Sequence, residues 1–473
     1  MEFTSINNLK NVIMNQSKIN RRRFLNNTLT VGAFSLLGGK LSGQSYDALI
    51  PQNGEVYKEP AKSLPVYGKF DVIVVGGGPA GWASALASAR NGAKTLVIER
   101  FPFFGGTGTA SLMSCIVGYR NQVKPDNLQT SKGIAEEFIL RMKELKGLGH
   151  SSSYKAVQQY STTKGDLTYS YPIDGERTKY ILTKMLYDAG VNMLFHTIFV
   201  DSIMEGNKVA GVIVENKSGR QAIFGNVIID ASGDADVAFK AGVPYWRAQV
   251  GKDNYLKNCL MYKVNIDPAN AEKLGGVITN NEKLYWGPAS DRDCSNADEL
   301  TKSEIETRLA VFDHFKKDQE KRAPLLDTAY ISETAPLLGI RQTRFIKGVY
   351  QINNDDVLKG KKFDDSIAMS AQPIINFYGY RRFLEHSGYE IPYRCMLPLN
   401  VEGLLVTGRC MSSDQQAYES WRAMAPVMCL GEAAGTAAAL CVKTKKTPKD
   451  VDVERLRSQL ISQGAEIGQN NKG

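Results

Sequence analysis

The sequence predicts an α/β fold: a three-layer, mostly parallel sheet with an inserted α+β domain. The first observation behind this is "FDVIVVGGGPAGWASALASARNGAKTLVIER", from Phe70 to Arg100. There an apolar β-rich run meets a glycine turn, a small-residue helix stopped by Asn91-Gly92, and a second apolar strand. The second is the series of short strands from Val191 to Gly233, with turns at Glu205-Gly206-Asn207 and Lys217-Ser218-Gly219. It follows the helix-patterned "GERTKYILTKMLYDAG". The third is a late return to an apolar strand, "GLLVTGR", and a long small-residue helix, "APVMCLGEAAGTAAALCVK". A chain of 473 residues exceeds one hydrophobic core, so two interleaved domains are expected.

The chain opens on a basic segment. Residues 1–45 carry Lys10, Lys18, Arg21, Arg22, Arg23 and Lys40 against Glu2, a net +5 of the total +9. The remaining charge is too diffuse to indicate a nucleic-acid partner. "NRRRFLNNTLTVGAFSLLGGK" has a basic start, a short apolar core from Leu29 to Leu37, and small residues near Gly43 and Ser45, which reads as a signal peptide. The order Arg21, Arg22, Phe24, Leu25 resembles a twin-arginine signal, so export, to the periplasm, is expected. No Cys follows the apolar core to carry a lipid anchor. No uninterrupted apolar run reaches the roughly 20 residues of a spanning helix, and no membrane span is expected. Residues 46–68 read as a polar, Pro-containing linker.

Seven scattered cysteines (Cys115, Cys259, Cys294, Cys395, Cys410, Cys429 and Cys441) show no C-x-x-C or zinc-like spacing, and only four histidines accompany them. No metal site is expected. An oxidising compartment permits a disulfide, but no pair stands out.

Gly76, Gly78 and Gly81 form G-x-G-x-x-G between the first strand and its helix, with Pro79 and Ala80 opening the helix. The first glycine permits a tight turn, the second lets backbone approach a pyrophosphate, and the third lets helix and strand pack closely. The helix N-terminus adds unpaired N–H donors and partial positive charge. Glu99 ends the second strand, where an acid accepts hydrogen bonds from a ribose and repels a 2′-phosphate, which disfavours NADP. Gly105, Gly106 and Thr107 in "FPFFGGTGTAS" can extend this wall with backbone and hydroxyl donors. In the late helix, Gly431, Ala434, Gly435 and Ala438 give a narrow face, either for close packing in the core or for aiming its N-terminus at a ligand.

"DVIVVGGGPAGWASALASARNGAKTLVIER", "GGTGTAS", "VIIDASGDADVAFKAG", "GIRQTRFIKGVYQINNDDV", "YEIPYRCMLP" and "LLVTGRCMSSDQQAYESWRAMAPVMCLGEAAGTAAAL" occur in this order. Together they resemble the bacterial FAD-dependent oxidoreductase family, whose FAD domain is of the glutathione-reductase type. The flavoprotein subunits of fumarate reductase and succinate dehydrogenase are more distant relatives. The resemblance spans roughly residues 69–463 and implies a Rossmann-like FAD-binding domain from 69–115, 175–250 and 396–473. A substrate or cap domain would come from 116–174 and 251–395.

By resemblance, Gly76, Gly78, Gly81, Glu99 and Arg100 would hold the ADP half of FAD, and Gly105, Gly106 and Thr107 would line the pyrophosphate and flavin. Val200 matches the position whose backbone meets adenine, with Gly233 and Asp234 beside it. Gly408, Arg409 and the segment Met424, Ala425, Pro426, Val427 would approach the ribityl chain and flavin. Relatives often carry an Asp where this chain has Arg409, and Asp414 is the candidate replacement. No His stands in the loop after Glu99, so the FAD is expected to be noncovalent. The absence of a second G-x-G-x-x-G and of a paired redox Cys motif argues against a pyridine-nucleotide disulfide reductase.

Flavin carries the chemistry, and the chain must position the substrate. Arg341, Arg344, Tyr393 and Arg394 are the candidate catalytic residues, and Arg409 and Arg422 also lie near the flavin helix. A buried Arg can hold a carboxylate bidentately or donate a proton; it can equally sit in a structural ion pair. Tyr378 and His386 are further general-acid candidates, and the aromatics between Tyr154 and Tyr171 can cap a pocket. The expected function is hydride transfer between FAD and a small organic substrate, with an electron acceptor that the sequence does not name. The alternatives are a flavin monooxygenase and a non-catalytic, flavin-stabilised binding or electron-transfer protein.

Overall fold

Strand β1 (Val66–Val75) ends in four β-branched residues, Val72 to Val75, none more than 4% exposed, the composition of a strand covered on both faces. The structure is a computed structural model and describes residues 56–121, 128–151, 170–252, 255–375 and 381–468. Contacts divide the chain at Pro60, and all elements below belong to the unit Ala61–Gly473. The segment expected as a signal peptide lies outside the described residues. The linker ends earlier than expected, because Val66 and Gly68 already pair with Ala222 and Ile223.

After β1 come α1 (Pro79–Arg90), β2 (Thr95–Ile98), α2 (Ile134–Glu144), α3 (Gly175–Asp188), β3 (Asn192–Leu194), β4 (Ile198–Glu205), β5 (Lys208–Asn216) and β6 (Gly219–Asp230). Asp174 caps α3 by accepting from the Arg177 N–H at 2.7 Å. The sheet order is β3-β2-β1-β6-β5-β4. Strands β3, β2, β1 and β6 run parallel, while β4, β5 and the first half of β6 form an antiparallel meander. The second half of β6 pairs in parallel with the late strand β11, described below. Alternation sorts the side chains of β1: Val72 and Val74 join the core under α1, while Ile73 and Val75 join the core on the opposite face.

The inserted sheet is antiparallel: β7 (Asn258–Asn265), β8 (Val277–Thr279), β9 (Glu282–Ser290) and β10 (Tyr330–Thr334) in the order β10-β7-β9-β8, with His150–Ser151 at the edge. Helix α4 (Ala297–Lys321) covers it through Ser303, Thr307, Val311 and Phe315, one residue per turn. This sheet has its own core, which includes Leu260, Tyr262, Leu326 and Leu338.

The chain returns through β11 (Leu404–Val406) and α5 (Gln415–Trp421) to α6 (Met424–Thr444). A Cβ on Gly431 would lie 2.2 Å from the Ala80 carbonyl oxygen, and one on Gly435 would lie 2.1 Å from that of Ser84. These two glycines let α6 rest directly on the backbone of α1. By length and composition α6 could cross a membrane, contrary to the reading of apolar runs, because its alanines and cysteines offset Glu432 on average. Yet 94% of its apolar window is buried in the protein, as a core helix requires.

Helix α2 falls in the sequence segment assigned to the cap, but it packs on α1 and α6. Phe138 lies 5.7 Å from Trp82, the Arg90–Glu137 ion pair is 2.6 Å long, and Glu432 accepts from the Ile134 N–H at 3.0 Å. All seven cysteines are buried free thiols.

Candidate dinucleotide and substrate site

Gly76 leaves β1 with φ 98°, and a Cβ on it would meet the Ala231 carbonyl oxygen at 2.6 Å. A Cβ on Gly81 would lie 1.7 Å from the Gly76 carbonyl oxygen. Packing within the chain therefore dictates both. Gly78, the residue before α1, differs: a Cβ there meets nothing within 4 Å. The middle glycine faces open space where the N–H groups of α1 point, and a pyrophosphate fits that surface.

Glu99 stands beside this turn. Its Oε2 accepts from the Gly77 N–H at 2.7 Å and its Oε1 from the Phe101 N–H at 2.9 Å. Burial raises its pKa, and the two N–H groups oppose that rise. Each oxygen keeps lone-pair capacity for a ribose hydroxyl. The Thr197 N–H donates to the Glu99 carbonyl at 3.1 Å, which fixes the start of β4 next to it. Three residues on, Val200 sits at a bulge in the β4–β5 register, between Phe199 and Asp201. A bulge takes backbone groups out of the ladder, as contact with an adenine edge needs. Arg100 is exposed, with its guanidinium 5.1 Å from the Phe101 ring centre.

The second wall is the loop after Phe104. The Gly105 N–H donates to the Gly77 carbonyl at 2.9 Å, and a Cβ on Gly106 would lie 2.8 Å from the Gly78 Cα. Gly105 and Gly106 both have positive φ, 111° and 47°. Half-buried Thr107 continues this wall in the short turn Gly106–Gly108. The third wall is the start of α6, where no side chain caps the helix N-terminus and a Cβ on Gly108 would lie 3.5 Å from the Met424 Sδ. Ala425, Pro426 and Val427 complete this buried first turn. A cavity between the walls is lined by Pro79, Trp82, Gly105, Gly108, Met424 and Met428 among others. Gly408 (φ 82°) comes from behind, and a Cβ on it would lie 3.2 Å from the Cβ of Ala80.

Arg409 pairs with Asp234 and donates from Nε to the Gly233 carbonyl at 2.8 Å and from Nη1 to the Ile340 carbonyl. The Thr343 hydroxyl donates to Asp234 Oδ1 at 2.7 Å. Asp234 and Arg409 thus tie the loop after β6 to the loop after β11. Asp414 does not stand in for the family's usual Asp: it caps α5 through the Ala417 N–H at 2.7 Å and accepts from the Asn354 N–H at 2.8 Å.

The candidate catalytic residues separate. Arg394 forms a bidentate pair with Asp365 at 2.9 and 3.0 Å, and its side chain is 47% exposed. Tyr393 is buried, and its hydroxyl donates to the Pro448 carbonyl at 2.8 Å. The Tyr393 hydroxyl and the Nε and Nη2 of Arg394 are thus engaged within the chain. Arg344 binds Asp236 at 3.0 Å and lies over the Phe239 ring at 4.3 Å, so it too is paired. His386 is half-buried, with Nε2 bonded to the Val357 carbonyl at 2.8 Å and Nδ1 accepting from the Gly388 N–H. Tyr378 and the aromatics Tyr154, Tyr160 and Tyr169 lie outside the described residues, and Tyr171 is in the core.

Arg341 and Arg422 remain. They flank Tyr418, whose hydroxyl donates to the Arg341 carbonyl and whose ring centre lies 5.7 Å from the Arg422 guanidinium carbon. Sequence reasoning missed Gln342 and Glu419 beside them, although both lie in blocks that carried the resemblance. The Gln415 amide donates to Gln342 Oε1 at 2.9 Å and to Glu419 Oε1 at 3.3 Å. Burial pushes the Glu419 pKa up to about 7. The visible signal was an acid between the aromatics Tyr418 and Trp421 in "AYESW".

The fold and this cradle define a class: a Rossmann-like flavoprotein oxidoreductase, in which the residues at the carboxyl ends of the parallel strands would hold the dinucleotide. A family model described as "FAD dependent oxidoreductase" matches residues 71–297 and 264–460, and the chain belongs to that family. It is an FAD-dependent enzyme, and the glycine cradle fits that cofactor. Similar proteins include the tRNA uridine 5-carboxymethylaminomethyl modification enzyme MnmG of Clostridium botulinum, 29% identical over 151 residues (32% of this chain, 22% of the relative). The thiamine thiazole synthase of Methanococcus vannielii is 30% identical over 181 residues (36% and 58%). The match thus spans less than two thirds of each relative's length. Among solved structures, p-nitrophenol 4-monooxygenase of Pseudomonas putida aligns over 84% of this chain and 87% of its own, at 13% identity and TM-score 0.46.

Proposed function

We propose that the protein is an exported enzyme that uses noncovalent FAD to move a hydride between flavin and a small organic substrate, with electrons passed to a separate acceptor. The observation that carries this reading is the meeting of three distant segments at one cradle: Gly78, the Gly105–Gly108 loop and Met424. Bound FAD supplies the hydride chemistry. The open Gly78 surface and the N-terminus of α1 hold the phosphates, and Glu99 accepts the ribose hydroxyls. The uncapped start of α6 brings partial positive charge to the flavin end. Glu419, balanced near neutrality, gives or takes at its carboxyl oxygen the proton that accompanies the hydride.

The reading is tested by the visible spectrum of the purified chain before and after acid precipitation, followed by anaerobic titration with candidate substrates. FAD released to the supernatant and bleached by a substrate supports it. Colour in the pellet means a covalent link. Oxygen consumption that requires NAD(P)H and yields a hydroxylated product replaces it with monooxygenation. The export part rests on Arg21, Arg22, Phe24 and Leu25. Cell fractionation tests it, with Arg21→Lys/Arg22→Lys expected to retain the protein in the cytoplasm.

A further inference from the structure

Five arginines close to the proposed flavin end, or in blocks leading to it, invite comparison. Arg344, Arg394 and Arg409 each have a carboxylate at 3.0 Å or closer. Among the described residues, no carboxylate lies within ion-pairing distance of Arg341 or Arg422. The Nε atoms of both are buried without a hydrogen-bond partner. Arg341 Nη2 has only the Cys259 Sγ, at 3.6 Å. The Gln342 side chain, 1% exposed, has an unpartnered Nε2 in the same loop. Glu419, one turn before Arg422, accepts from Gln415 instead of from the guanidinium.

Two guanidinium groups held together with no carboxylate in direct contact are costly in a partly buried site. Glu419 lies near enough to favour the Arg422 charge but makes no ion pair with it, and the mutual repulsion of the arginines adds to the cost. The Arg341 charge depresses the proton affinity of Arg422, after burial itself, which shows that the two sense each other. Three buried donors without a partner, on Arg341, Gln342 and Arg422, describe half of an anion site. Planar guanidinium forks match the two in-plane oxygens of a carboxylate better than a tetrahedral anion. Arg422 also stands just before Met424, the residue that meets the Gly105–Gly108 loop, so an anion held there lies next to the flavin end of the cradle.

We propose that Arg341, Gln342 and Arg422 bind the carboxylate of a small organic acid, and that the substrate of this enzyme is such an anion. The proposal rests on the flavin reading for its place in the reaction, while the anion site can be measured separately. The test is calorimetric titration of the FAD-loaded chain, at fixed ionic strength, with acetate, benzoate, benzamide and inorganic phosphate. A carboxylate is expected to bind, with benzamide at least about tenfold weaker than benzoate, a gap of about 1.4 kcal/mol. Arg341→Met and Arg422→Met are each expected to weaken carboxylate binding at least about tenfold, and Arg422→Lys to recover part of it. Melting temperature and flavin content check that each variant folds, and the Lys variants of both positions carry the test where a Met variant does not. The proposal is overturned if no carboxylate binds, if benzamide equals benzoate, if phosphate binds more tightly than either carboxylate, or if folded variants bind as the parent does. A chain that purifies colourless but still binds carboxylate through these residues would defeat the flavin reading and leave the anion site standing.

Discussion

The carbonyl oxygen of Gly76 occupies the space a side chain on Gly81 would need, since a Cβ there lies only 1.7 Å away. Gly78, between them, has φ −69° and ψ −173°, a conformation open to any residue, and its Cβ direction is empty. The two glycines therefore separate folding from binding. Gly81→Ala must push α1 away from β1 and is expected to cost several kcal/mol, on the order of an overpacked core substitution. Gly78→Ala is expected to leave the melting temperature of flavin-free protein nearly unchanged while weakening FAD at least about tenfold. Thermal unfolding of the apoprotein and fluorescence titration with FAD check both.

Glu99 joins the turn to the second strand with one backbone N–H on each oxygen. In Glu99→Gln one of those N–H groups faces an amide donor instead of an acceptor. A buried donor left unpaired costs about 1–3 kcal/mol. Affinity for FAD, and for ADP, which shares the same ribose, should each fall roughly ten- to a hundredfold, as direct titration of each ligand would show.

Asp234 neutralises Arg409, and removing only one partner leaves a half-buried charge alone. Asp234→Asn is expected to destabilise the protein by roughly 3 kcal/mol, and Asp234→Asn/Arg409→Met by less, because the double change removes both charges. Denaturant unfolding of the two variants gives the comparison.

Glu432, buried in α6, accepts from the Ile134 N–H at the start of α2, and burial pushes its pKa from 4.5 to about 7. Between those values the folded protein holds a proton that the unfolded chain has lost, so stability falls as pH rises. The contribution is complete below about 4.5 and is lost as pH passes 7. Glu432→Gln keeps an oxygen acceptor for the N–H and removes the titration. Its melting temperature, relative to the parent, is expected to rise steadily from pH 5 to pH 8; a constant difference would contradict this.

The order β1, glycine turn, α1, β2 was legible because each piece is local: a β-branched run, glycines with a fixed spacing, and a Gly stop. Glu99 was legible for the same reason, since it closes a unit of about thirty residues. Helix α2 was not, because its contacts with Trp82 and Glu432 join points remote in sequence. The arginines show the limit most clearly. "GIRQTRF" holds Arg341 and Arg344 three residues apart, yet one meets Asp236 and the other meets no acid. Nothing in the residue type or its neighbours distinguishes them; only the positions of Asp236, Asp365 and Asp234 do.

Strand β6 pairs along its second half with β11, and α6, which follows β11, supplies the last wall of the cradle. A chain leaving the ribosome therefore displays β1 and its glycine turn long before the partners that complete them. Until β11 arrives, the end of β6 has an open edge, and until α6 arrives, the groove over Ala80 and Ser84 is unfilled. Such distant pairing slows folding and prolongs the exposure of unpaired strand edges. Cofactor capture is accordingly a terminal event in the birth of this molecule, and a nascent chain halted before Met424 has the first grip on a dinucleotide but nothing to close it.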